Sequence, residues 1–249
     1  MTVLIKRLFY KGKWIAISIS VILSFTIFML IHNYDIYNSS SYSLNSIISK
    51  LPSFIINVLL LKNINLDSFK DYYKYFFSGI ALIIIAYSYI KGYLGIPMKH
   101  YYIDNLRLSR KCQFSNFFLE FIIELLIIII PFILISYLGN IIYVKASYLL
   151  ILKLNILLYI MAIMAYFLGF LIHLFCEKKS FILISVIILL IIINICYLNQ
   201  MFNSSTLSII SILGVFRQEL DIAFYFIAVS IYIAISLILG LVSFFIYTK

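Results

Sequence analysis

Two carboxylates stand out against an apolar background. Glu120 and Glu124 lie inside a long hydrophobic run with i,i+4 spacing, so a helix through them carries both on one face. Glu120 reaches the interface at the start of that run. Glu124 lies about 12 Å further along than Asn116, a depth at which an acid needs a partner or water. The preceding hydrophobic run is antiparallel to this one, and Lys91 near its inner end can snorkel, so Lys91 is the candidate partner. Three roles suit such a group: an ion pair that fixes helix packing, a coupling or cavity-lining element in transport, or a proton relay. The other polar concentration is residues 97–116, PMKHYYIDNLRLSRKCQFSN, where Lys99, Arg107, Arg110 and Lys111 face a single acid, Asp104.

Catalytic patterns are missing elsewhere. No GxxxxGK[ST] stretch is present to cradle nucleotide phosphates, and neither HExxH nor GxSxG occurs. His32, His100 and His173 are far apart and sit near the edges of apolar runs. Cys112, Cys176 and Cys196 are scattered singly, with no disulfide or zinc spacing. These observations lead us to expect no enzyme activity, no catalytic residues, no metal and no cofactor in this chain.

The elements that position the charged residues are hydrophobic spans. Of 249 residues, 65% are hydrophobic and 11% charged, too much apolar surface for a water-soluble domain of this size to hide. The formal charge of +10 comes from residues between hydrophobic runs, which is a topological signal rather than a nucleic-acid one. We expect an all-α, polytopic single domain over 1–249, with spans at about 14–31, 76–94, 117–138, 146–175, 181–198 and 222–247. Residues 2–13 read either as an interfacial amphipathic helix on an anionic leaflet or as a plain basic flank to the first span. The apolar pieces 51–61 and 207–216 are too short to cross. Pro131 predicts a kink in the third span, and residues 139–145 a short turn. No cleavable signal peptide is expected at the N-terminus.

With the N-terminus inside, 12 of the 19 Lys and Arg residues fall on the inner flanks. The other seven are outside, where Asp35, Asp67, Asp71, Glu219 and Asp221 offset most of them. Both termini are therefore expected in the cytoplasm. Heavy use of Ile, Phe, Tyr, Asn and Lys points to an AT-rich genome.

The layout resembles the membrane subunit of ABC-2 type transporters. LPSFIINVLLLKNINLDSFKDYYKYFFSG resembles the outer segment that precedes the second span in compact members. In the first cytoplasmic loop, Leu108, Ser109 and Arg110 match the end of the family's Pro-Val-Ser-Arg pattern. Arg107 stands where proline is usual, and Met98 and Lys99 replace the Gly-Thr-Leu element. YFLGFLIHLFCEKKSFILI resembles the family's small-residue helix end, basic turn and return helix. The resemblance implies a permease that dimerises, with itself or with a second permease, and that binds a cytoplasmic ATPase supplying ATP and magnesium. It implies a coupling helix around 101–114, with Tyr101, Tyr102, Leu106 and Leu108 as apolar knobs and Arg107, Arg110 and Lys111 supplying charge. It also implies export of an amphipathic peptide or hydrophobic compound, as in compact peptide-toxin exporters and lantibiotic-immunity systems. Two other classes compete: a non-transporting membrane scaffold or assembly protein, and a membrane-embedded lipid-modifying enzyme.

Overall fold

The computed structural model describes residues 2–39, 69–95, 109–144, 148–175, 216 and 222–248. Among these the protein is all-helical. The helices are α1 (Thr2–Ser39), α2 (Phe69–Gly95), α3 (Arg110–Gly139), which runs on into a π-helical segment (Asn140–Val144), α4 (Tyr148–Phe175) and α5 (Ile222–Thr248). Four of them contain stretches long and apolar enough to cross a membrane: Phe77–Leu94, Arg110–Ile142, Tyr148–Phe175 and Ala223–Thr248. The apolar part of α1, Lys13–Met29, is shorter. Helices that are apolar on every face bury one stripe against neighbours and present the rest to lipid. In α1 the buried stripe is Ala16, Ser20, Leu23, Ser24, Ile27 and Ile31, while Trp14, Val21, Ile22 and Phe25 face outward.

Several expected boundaries differ. Residues 2–13 continue into the first apolar run as one unbroken helix that ends at Ser39. No proline interrupts it, and a continuing helix keeps satisfying its own backbone groups. A plain basic flank fits this geometry better than a separate surface helix. Helix α3 begins at Arg110, about two turns ahead of the expected span. Its start is set by Ser109, whose Oγ accepts the Cys112 N–H at 3.3 Å. Pro131 lies inside an uninterrupted helix, although its missing N–H leaves the Ile127 carbonyl without a helical donor. The turn expected over 139–145 is replaced by the π-helical continuation as far as Val144. The expected span 181–198 and the piece 51–61 lie outside the described residues, as does 207–216 except for Phe216, which is buried beside Phe77.

Side-chain contacts fix the helix directions. Lys91 meets Glu124 and Phe77 meets Phe132, so α2 and α3 are antiparallel. Phe114 meets Phe170 while Tyr137 meets Tyr148, so α3 and α4 are antiparallel as well. Lys153 lies over Tyr225 and Phe170 against Tyr247, making α5 parallel to α4. Ile31 packs on Gly139, which brings the C-terminal parts of α1 and α3 together. Helices α1 and α3 therefore run one way, and α2, α4 and α5 the other. The start of α1, the start of α3 and the end of α5 share one end of the bundle, here the Arg110 end. The opposite end is the Asn140 end.

The tightest approach is between α2 and α4. A Cβ on Gly92 would fall on the Tyr166 carbonyl, and one on Gly169 would fall on the Tyr89 carbonyl. The two glycines thus face each other's helix backbone reciprocally, and the helices pack most extensively there. Close backbone contact of this kind is a main source of helix association in lipid. Gly92→Ala and Gly169→Ala should each lower thermal stability in mild detergent, by roughly 1–3 kcal/mol for overpacking. The double variant should lose less than the sum, because helices already forced apart accept a second methyl more easily. Full additivity in a melting experiment would argue against a shared crossing point.

Candidate functional site

Four side chains on two helices make a charged cluster between α2 and α3. On α2, Tyr87 and Lys91 stand one turn apart on one face; on α3, Glu120 and Glu124 do the same. Antiparallel packing sets the two pairs opposite each other. Lys91 Nζ donates to Glu124 Oε1 at 2.7 Å and lies 3.8 Å from Glu120 Oε1. Tyr87 donates its hydroxyl to Glu124 Oε2 at 2.8 Å. Both oxygens of Glu124, a residue 2% exposed, therefore have donors. Glu124 lies about 21 Å along α3 from Arg110, well inside the apolar stretch. The chain thus meets the need of an acid in a span for a partnered, hydrogen-bonded site. Below the cluster, Phe121 stacks on Tyr166 of α4 with centroids 4.1 Å apart.

Toward the Arg110 end, the bundle closes on aromatic rings. Phe114 stacks against Phe167 and meets Phe170 and Phe244 edge-on. Tyr247 of α5 donates its hydroxyl to Gln113 Oε1 at 2.8 Å in a buried setting. This ties the first turn of α3 to the last turn of α5.

Among the residues expected to bind an ATPase, Arg110 and Lys111 are exposed on the first turn of α3. Tyr101, Tyr102, Leu106, Arg107 and Leu108 lie outside the described residues. Positive side chains at a helix N-terminus oppose its dipole, typically by about 0.3–1 kcal/mol each, so helix stability does not explain Arg110 and Lys111. The structure brings Lys91, Glu120 and Glu124 together. His32 stacks with Phe28 at the Asn140 end, and His173 meets Tyr93 near the other end, so these two histidines are well apart. Among the described residues, no group of three His, Cys, Asp or Glu side chains could hold a metal.

Sequence reading missed Tyr87, the Gln113–Tyr247 bond and the facing glycines. Tyr87 was legible as the residue one turn before Lys91. The glycines were legible as Ser88-xxx-Gly92 and Ala165-xxx-Gly169, a small-residue spacing that favours close helix contact. Nothing local announces the Gln113–Tyr247 bond, because its partners are remote in sequence.

The described helices, four of them with stretches long and apolar enough to cross a membrane, suggest a helical membrane protein with a charged bridge between two of those helices. No protein family matches the chain, and neither a curated protein nor a solved structure matches it.

Breaking a buried ion pair in a soluble protein costs about 3–5 kcal/mol, whereas polar contacts between membrane helices average about 0.6 kcal/mol. Lys91 keeps 20% side-chain exposure and can turn toward water. We therefore expect Lys91→Met to cost about 1–2 kcal/mol, between those limits. Lys91→Met with Glu124→Gln should recover part of that loss, since the neutral amide removes an uncompensated buried charge. A thermal-shift cycle in which the double variant is as damaged as the two single losses added together would show that the residues act independently.

Proposed function

We propose that this chain is the membrane-spanning permease subunit of an ABC transporter, and that it exports an amphipathic peptide or hydrophobic compound. A separate cytoplasmic ATPase binds ATP and magnesium, and a second copy or a second permease completes the dimer. The observation that carries this reading is the bridge from Lys91 and Tyr87 to Glu124. It ties α2 to α3 a short distance inside the basic segment that joins them. A partner pressing on that segment would displace both helices together rather than one alone.

Other features support the same reading. Lys13, Lys91, Arg110 and Lys111 cluster toward the Arg110 end, which fits a cytoplasmic placement of that end and of both termini. Phe175 and Ile222 belong to opposite ends of parallel helices, which supports a sixth span between them. The exposed sides of α1 and α5 are almost wholly apolar, as lipid contact or a permease partner requires. The resemblance to Gram-positive peptide exporters, together with a composition suited to an AT-rich genome, favours the plasma membrane of a low-GC Gram-positive bacterium.

The test is co-expression with a candidate ATPase encoded beside this chain, followed by purification on a tag carried only by this chain. The ATPase should co-purify, and its ATP hydrolysis should change when the permease is present. Reversing Arg107 and Arg110 to Glu should reduce co-purification several-fold while leaving the permease monodisperse. Retention of the ATPase at wild-type level would remove the basic segment as the docking element. Failure of any ATPase to co-purify in several detergents and in nanodiscs would favour a scaffold.

A further inference from the structure

The described helices form two groups. Helix α1 packs mainly on α3, and α4 packs mainly on α2 and α5. Within the second group, Gly92 and Gly169 bring backbones into direct contact. Across the seam between the groups, large rings hold the backbones apart: Phe121 on Tyr166, Phe118 on Phe167, and Phe114 on Phe170 and Phe244.

Apolar and polar contacts across this seam differ in how lipid treats them. Acyl chains are as apolar as phenyl rings, so lipid can replace the ring contacts when the seam widens. Lipid tails offer no donor or acceptor to replace a hydrogen bond. Among the described residues, the bonds that resist parting at the Arg110 end include Lys91 and Tyr87 to Glu124, and Tyr247 to Gln113. Each joins one group to the other.

The chain itself limits motion at the Asn140 end. Residues 145–147 join α3's π-helical extension to α4, and so little chain spans at most about 14 Å. Tyr137 of α3 stacks on Tyr148 of α4 with centroids 5.6 Å apart, and its hydroxyl donates to the Tyr148 carbonyl at 3.4 Å. The π-helical turn Asn140–Val144 adjoins this connection. Such turns concentrate at functional irregularities, and hinges fall at the ends of elements. At the Arg110 end, by contrast, α2 and α3 are separated by 14 residues of sequence, enough for roughly 45–50 Å of extended chain.

We infer that the two helix groups, α1/α3 and α2/α4/α5, hinge at the π-helical turn Asn140–Val144 beside the Tyr137–Tyr148 contact, and are latched at the Arg110 end by the Glu124 bridge and the Gln113–Tyr247 bond. Releasing the latch lets the Arg110 end widen while the Asn140 end stays closed. The lever from Asn140 to Gln113 is about 40 Å, so a rotation of roughly ten degrees separates the tips by about 7 Å. The inference rests on helix packing and connection lengths and is independent of the transporter reading.

Paired spin labels in nanodiscs test it. The full chain carries Ser in place of Cys112, Cys176 and Cys196. One label pair sits at Ser115 and Phe175, both exposed at the Arg110 end; the other sits at Leu138 and Leu152, both exposed toward the Asn140 end. Glu124→Gln combined with Tyr247→Phe should lengthen and broaden the Ser115–Phe175 distances, by several ångströms at the median, and leave the Leu138–Leu152 distances unchanged. Tyr87→Phe with Tyr247→Phe removes only hydroxyl groups, and should give a smaller shift of the same sign even where Glu124→Gln does not fold. Unchanged distances at the Arg110 end in the folded variants would overturn the latch. Equal lengthening at both ends would overturn the hinge, because the groups would then be separating as a whole.

Discussion

Helix association in lipid has no hydrophobic drive between apolar faces, so it must come from contact that acyl chains cannot imitate. The reciprocal approach of Gly92 to the Tyr166 carbonyl and of Gly169 to the Tyr89 carbonyl is the closest contact of that kind among the described glycines. It fixes α2 against α4 with backbone touching backbone. The remaining helices are placed relative to that pair. Helix α5 lines the outer side of α4 through Tyr225, Ala228, Tyr232 and Ser236. Helix α3 meets the pair through rings and a charged bridge, and α1 follows α3. A methyl group at either glycine would shift α2 relative to α4, and with it the register that presents Lys91 and Tyr87 to α3.

The charged bridge follows from the same solvent. Two acids and one lysine in an apolar run are unfavourable unless they meet. Here Lys91 and Tyr87 occupy both oxygens of Glu124, while Glu120 lies next to Lys91 on the side nearer the interface. The arrangement joins α2 to α3 in the half nearer the Arg110 end, as Phe77 on Phe132 does in the other half, and the aromatic stack around Phe114, Phe167 and Tyr247 continues the contact toward the Arg110 end. Strong backbone contact within one helix group and ring-filled contact between groups give the bundle unequal stiffness. That difference is the physical basis for the hinge and latch inferred above.

Much of this was readable without coordinates, for reasons that can be stated residue by residue. Apolar runs long enough to cross lipid have few conformational options, so α2, α4 and α5 lie close to the expected spans. Lys91 and Glu124 were legible as partners because a charge in a span must find its complement on a neighbouring helix. Boundaries were less legible. The polar residues 110–116 read as loop, yet the Ser109 cap starts α3 at Arg110 and draws Gln113 and Phe114 into the packed interior. Residues 140–144 read as a turn, yet they continue the helix in π form.

What the sequence determined alone was therefore the solvent and its consequences: helical spans, a basic end, and a charge pair obliged to meet. These follow from composition and period, which act locally along the chain. Only the tertiary structure decided that Gly92 meets Gly169's helix, that Tyr247 reaches Gln113, and that the helices divide into two oppositely directed groups. Those facts depend on which faces of distant segments come together, and lipid, being equally apolar to every face, leaves that choice to side-chain shape and scarce polar bonds.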